Sequence, residues 1–178
     1  MKAKSILSNS FLIMIIMLFG CKSPQSLQTV EKVNLEKYAG TWYEIASFPQ
    51  SFQEGCHCTT AEYKLTDKNY VRVINQCRKG SPQGKTDVAK GKAFPVKGSN
   101  NSKLKVQFFW PFRGNYWIIE LADDYSYAVV GEPKRKYLWI LSRTPEMKED
   151  TYKMLLNRIE KKGFDINKLE LADQSCYK

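Results

Sequence analysis

The chain has 178 residues, of which 28 are Lys or Arg and 18 are Asp or Glu, giving a formal charge of +10. That length supports one domain with a sizeable core. The positive charge is scattered through Lys97, Lys103, Lys105, Lys134, Arg135, Lys136, Lys161 and Lys162. With no nucleic-acid fingerprint of spacing or aromatic interleaving, it argues against nucleic acid and for anionic lipid head groups or a simply solvated surface.

Met1-Lys2-Ala3-Lys4 is a basic opening, and Phe11 to Gly20 is an apolar run too short to span a bilayer. Residues 1–20 therefore read as a signal peptide, and the protein as exported. Removing 20 of 178 residues leaves 158, and the loss of Lys2 and Lys4 takes the charge from +10 to +8. Leu18-Phe19-Gly20-Cys21 resembles a bacterial lipobox, in which the Cys is acylated and becomes the mature N-terminus. Several tens of buried methylenes, at about 0.8 kcal/mol each, would make such an anchor effectively permanent. Residues 21–34 offer little to bury and read as a flexible tether, which leaves 35–178 as the folded domain.

Gly40-Thr41-Trp42 opens an apolar, β-prone run, and Tyr137-Leu138-Trp139-Ile140-Leu141-Ser142-Arg143 closes a later one. A strand that begins with a large indole and a late strand that ends in Arg suggest one closed sheet, with the guanidinium over the indole at one end. Between them run short alternating segments separated by turn residues. Ala61, Tyr63 and Leu65 share one face of theirs; Val71, Val73 and Asn75 share one of the next; Leu104, Val106 and Phe108 do so further on. Eight strands are predicted, at about 41–49, 57–66, 70–78, 86–95, 103–109, 115–121, 126–131 and 137–142. The period then changes. Thr144-Pro145-Glu146 predicts a helix start, Tyr152, Leu155, Leu156 and Ile159 its single apolar stripe, and Gly163 its end. Residues 164–171 can add a short strand. The reading is all-β: an eight-stranded antiparallel up-and-down barrel with one C-terminal helix packed outside.

The Gly40-x-Trp42 and Arg143 pair, with Phe108-Phe109-Trp110-Pro111-Phe112 and Tyr127 to Pro133, resembles the lipocalin family, and within it the bacterial and apolipoprotein D-like branch. The resemblance runs from about Leu35 to Cys176. It implies that Gly40, Trp42 and Arg143 are structural, and that Tyr63, Asn75 and Trp139 face a ligand; strand parity adds Val73 beside Asn75, and Phe108 with Leu104 and Val106. Asn75 is the informative one, because an amide among apolar neighbours needs a hydrogen-bonding partner. The resemblance also implies a Cys58–Cys176 disulfide, which leaves Cys56 and Cys77 to pair across the hairpin they flank. A two-residue turn at Asp67-Lys68 would instead set Cys58 opposite Cys77.

Barrels of eight strands are filled by side chains or hold one small ligand. The expected function is a lipid-anchored carrier of a fatty acid or lysophospholipid, serving envelope lipid storage, transport or stress repair. Lys22 after Cys21 favours the outer membrane, facing the periplasm, in a two-membrane bacterium. Two alternatives are a structural protein with a filled barrel and an enzyme using a free thiol such as Cys77. Catalysis otherwise has little to stand on: His57 is the single histidine, no Ser-His-Asp set can form, and the disulfides consume the thiols of Cys56-His57-Cys58. No metal and no cofactor are expected. A homodimer stays open.

Overall fold

A computed structural model describes residues 26–177. The expected signal peptide, the acylated Cys21 and the first part of the tether lie outside the described residues. Among the described residues the strands are β1 (Gly40–Ser47), β2 (Cys56–Lys64), β3 (Val71–Lys79), β4 (Thr86–Pro95), β5 (Lys103–Gln107), β6 (Gly114–Leu121), β7 (Tyr127–Gly131), β8 (Leu138–Ser142) and β9 (Glu170–Leu171). Each of the first eight pairs antiparallel with its chain neighbour, and β1 pairs with both β2 and β8, so the sheet closes on itself. The eight-stranded barrel expected from the alternating runs is the fold observed.

The period-2 alternation divides the apolar residues into two sets. Facing inward are Trp42, Tyr63, Val73, Leu104, Ile118 and Leu141, among others. Ile45, Ile119, Val129, Leu138 and Ile140 face outward and are covered by α2 (Glu149–Lys161) through the fully buried Leu155 and Ile159. Arg158 and Lys162 reach Glu120 on β6 at 3.1 and 3.2 Å and fix the helix laterally. The stripe and the stop at Gly163 (φ +84°) are as expected. The start is not. Thr144 donates from its hydroxyl to Glu146 O and bonds to the Ser142 hydroxyl, which spends the cap on a local turn. The helix begins four residues later, with Lys148 at the cap and Glu149 and Asp150 in its first turn.

The tether is corrected over its described part. Residues 26–34 run across the barrel rather than away from it: Leu27 and Val33 are buried, Val30 N donates to Ile118 O, and Val33 N donates to Asn100 O. Asn34 then caps α1 (Leu35–Tyr38), its side chain accepting from Glu36 N and Lys37 N.

A helix this short has its C-terminal carbonyls exposed just where it crosses the barrel's end. Arg143 collects them. Its guanidinium donates to Lys37 O, Tyr38 O, Ala39 O and Thr41 O at 2.7 to 3.1 Å, and to Tyr125 O at 3.4 Å. It lies 3.8 Å from the centroid of the Trp42 ring, whose indole N–H donates to Tyr38 O. Gly40 holds the backbone beside it at φ +95°, a conformation that residues with a Cβ rarely adopt.

At the other end the barrel splays. Pairing of β1 with β2 stops at Tyr43 and Thr60, and beyond it β1 bonds to β9 instead. Gln174 Nε2 bridges Glu44 O and Thr59 O across the gap, and a disulfide joins Cys176 to Cys58. Cys58 has φ +54°, within a register shift between His57 and Thr60. That shift accommodates the second disulfide, Cys56–Cys77, which straight pairing would not have aligned.

Arg143→Ala removes five hydrogen bonds and the cation–π contact and leaves main-chain carbonyls without donors. It should cost about 3 kcal/mol, or about 6–12 °C in Tm by scanning calorimetry. Arg143→Lys keeps the charge but not the planar fork and should recover less than half of that loss.

Candidate ligand-binding site

The closed half of the lumen is a plug of rings. Tyr38 lies 4.9 Å from Trp42 and 5.4 Å from Tyr63 between centroids, and Tyr63 lies 6.0 Å from Tyr116. Their polar ends are satisfied internally. Tyr63 donates to the Tyr116 hydroxyl at 2.8 Å, and Tyr38 and Tyr116 share a hydrogen bond of 2.7 Å. Burial pushes the Tyr63 phenol up to about 12 and those of Tyr38 and Tyr116 well above their ordinary range. Tyr63 is thus 4% exposed and committed to the floor.

Above this floor the wall changes size. Val73 lies between Tyr63 and Gly91, and Asn75 between Ala61 and Ala89, so that small residues flank the amide on both sides. Ala89 is exposed although it shares the lumen face with Gly91 and the fully buried Ala93. The Oδ1 of Asn75 is buried without a hydrogen-bond partner. Phe108 covers Gly91, where an added Cβ would stand 2.9 Å from its ring. Trp139 stands on the same inner face, stacked on Tyr137 at 5.9 Å. The structure therefore brings Val73, Asn75, Phe108 and Trp139 to the lumen wall and places Tyr63 beneath them. Gly40, Trp42 and Arg143 gather at the opposite, closed end.

Three polar residues at the mouth escaped the sequence reading. Trp139 Nε1 donates to Gln53 Oε1 at 3.2 Å, Gln53 Nε2 donates to Glu44 Oε2 at 2.8 Å, and Gln50 Nε2 also donates to Gln53 Oε1. Glu44 is 7% exposed. Burial raises its carboxyl above the usual range, against hydrogen bonds from Gln53 and Ser47 that lower it. It could have been found by parity, because it stands two residues from Trp42 and faces the same way. Gln50 and Gln53 sit in the β1–β2 connection, which carries no period to read.

The rim is aromatic. Phe109, Trp110 and Phe112 in the β5–β6 loop are 79%, 86% and 77% exposed, more than isolated surface apolars need explaining, because they are contiguous. A cleft of about 550 Å³ lies beside this loop on the outer side of the sheet, bordered by the outward-facing Arg72, Ile74, Lys90 and Lys92 and by Phe108 and Trp110, among others.

The thiol alternative loses its nucleophile. Cys77 is bonded to Cys56 and Cys176 to Cys58, and His57 Nδ1 pairs with Asp173 at 3.0 Å on the exposed tail. Among the described residues, no group of three His, Cys, Asp or Glu is placed to hold a metal.

Comparison with known proteins agrees with this geometry. A family model for the lipocalin-like domain matches residues 33–174. The outer membrane lipoprotein Blc of Vibrio cholerae is 38% identical over 161 residues, covering 89% of this chain and 94% of its own length. Temperature-induced lipocalin-1 of Arabidopsis thaliana is 39% identical, covering 85% and 84%. Apolipoprotein D of Mus musculus is 35% identical, covering 87% and 82%. Insecticyanin from the tobacco hornworm Manduca sexta superimposes with a TM-score of 0.69 over 88% of this chain and 89% of its own, at 21% identity, a likeness of fold alone.

The tyrosine plug makes an alkaline prediction. Phenols of an unfolded chain lose protons near pH 10, whereas Tyr38, Tyr63 and Tyr116 keep theirs when folded. The folded pKa values are raised, so their stabilisation is complete below pH 10 and is lost as pH rises from 10 towards 12. The urea midpoint should fall across that window. Ultraviolet titration should show at least three phenols silent until the chain unfolds.

Proposed function

Because the chain belongs to the lipocalin family, we propose that it is a lipid-anchored carrier holding one fatty acid or lysophospholipid in the upper half of its barrel. The observation that carries this reading is the step in side-chain size along the lumen. Large rings plug one half, whereas in the other the small Ala61 and Ala89 flank an amide that lacks a partner. Moving a ligand's apolar surface from water into that space is favourable by about 25 cal/mol per Å². A polar group or ordered water beside Asn75 offsets the cost of burying its oxygen.

The setting suits the cargo. Acylation at Cys21 would hold the barrel at a membrane, and Lys22 in place of Asp favours the outer one, in keeping with relatives named outer membrane lipoproteins. The exposed aromatic rim beside the mouth is suited to contact with lipid. Storage, transport or repair of envelope lipids would all use this arrangement.

Native mass spectrometry of protein purified from its own envelope should find one lipid-sized adduct per chain and an acylated N-terminal Cys21. Titration with a lysophospholipid below its critical micelle concentration should quench Trp139 at one equivalent. Asn75→Leu should weaken binding about tenfold, equivalent to 1.4 kcal/mol. Absence of both adduct and quenching would favour a barrel filled for structural purposes.

A further inference from the structure

The mouth of the barrel contains a buried carboxyl with no cation. Glu44 shares the inner face of β1 with Trp42 and lies opposite Leu141, another inward residue, on β8. Burying such a group costs several kcal/mol unless something compensates, and ordinarily an Arg or Lys does. Here none does. Among the described residues no ion pair reaches Glu44, and the buried side chains include no Lys or Arg at all.

The hydrogen bonds around it have a fixed direction. An indole N–H can only donate, so Trp139 makes Gln53 Oε1 an acceptor. The other end of that amide, Nε2, is therefore the end that donates to Glu44. Gln50 gives its own N–H to the same Gln53 oxygen, and Gln50 Oε1 is left buried without a donor. Asn75 Oδ1, on the lumen face of β3, is in the same condition. So is Gln174 Oε1, on the side chain that bridges Glu44 O and Thr59 O. Every buried side-chain polar atom that lacks a partner among the described residues is an oxygen, and each expects a donor.

We propose that the polar end of the bound amphiphile is a cationic hydrogen-bond donor, an ammonium group, and that Glu44 is its counter-charge at the mouth of the barrel. This rests on the carrier reading and narrows it: an amphiphile whose head is a bare amine is preferred to a free fatty acid. A carboxylate ligand would bring a second anion and more acceptors to a site that already has too many. An ammonium brings three N–H groups and the missing charge. The whole-protein field acts in the opposite sense, because a net positive chain attracts anions at long range. A preference for the amine would therefore originate in the local site and not in the protein's overall charge.

The test compares hexadecylamine with palmitate, which share chain length and differ in head-group charge, by isothermal titration of the full-length mature protein at neutral pH. Hexadecanol serves as the uncharged reference. The amine should bind at least tenfold more tightly than palmitate. Glu44→Gln should remove that preference, weakening the amine about tenfold while leaving hexadecanol unchanged. Equal or tighter binding of palmitate to the native protein would overturn the proposal, as would a Glu44→Gln variant that keeps the preference. The native comparison decides the matter if that variant does not fold. Binding of hexadecanol and palmitate without the amine would sink this inference and leave the carrier standing; binding of none of the three would sink both.

Discussion

One contact governs the rest of the structure: the Arg143 guanidinium laid on the Trp42 indole while it gathers the carbonyls of α1 and of Thr41. A closed sheet has no free edges, but it has two open ends, and water at either would reach the lumen. Four residues of helix cannot stop an end unaided, because their carbonyls have no successors to bond with. Arg143 supplies the donors from the end of β8, and its flat face supplies the contact with the ring beneath. Once that end is fixed, Tyr38 is held over the lumen, and Tyr63 and Tyr116 can complete the plug from β2 and β6.

This floor decides what the upper barrel can be. The phenols satisfy one another, so the floor asks nothing of a ligand but its apolar surface. Polar demand lies above the floor, at Asn75 in the wall and around Glu44, Gln50 and Gln53 at the mouth, with Gln174 in the seam beside them. An amphiphile matches that gradient, with its chain towards the rings and its head towards the unpaired oxygens. The exposed Phe109, Trp110 and Phe112 extend the apolar character beyond the rim, on the side from which such a molecule would come.

Much of this was legible in the sequence, and where it was not the reasons differ. The strands could be read because each buries one face, and the alternation that placed Tyr63, Val73, Asn75 and Phe108 on the inner wall is a property of the strand itself. The α2 stripe was legible for the same reason, at a period of 3.6. Its start was missed because Thr144-Pro145-Glu146 has the composition of a cap, yet the Thr144 hydroxyl finds a nearer partner in its own turn. Residues 26–34 were misread because Leu27, Val30 and Val33 are bound for no single face. Leu27 joins the outer apolar set, Val33 the inner, and the hydrogen bonds of Val30 and Val33 run to Ile118 and Asn100 far along the chain. Gln53 was illegible in a stricter sense, since its role is created only when the β1–β2 connection folds back over Trp139.

The C-terminal tail explains why the mouth stays open while the other end is sealed. Straight pairing would carry β1 along β2 for its full length and draw the barrel shut. Instead, the pairing ends at Tyr43, and the tail occupies the widening seam: β9 bonds to Ala46 and Ser47, Ala172 N donates to Ile45 O, and Gln174 spans Glu44 O and Thr59 O. Three elements that are weak alone, a two-residue strand, one amide and one short turn, are held there by the Cys58–Cys176 bond. Closing a loop of 118 residues restricts the unfolded chain by about 4 to 5 kcal/mol in the entropic account, enough to keep so slight an insertion in place. The same insertion takes up the Glu44 main-chain carbonyl on the side that β2 has left, while strand parity with Trp42 and the pairing with Leu141 keep the Glu44 side chain on the inner face.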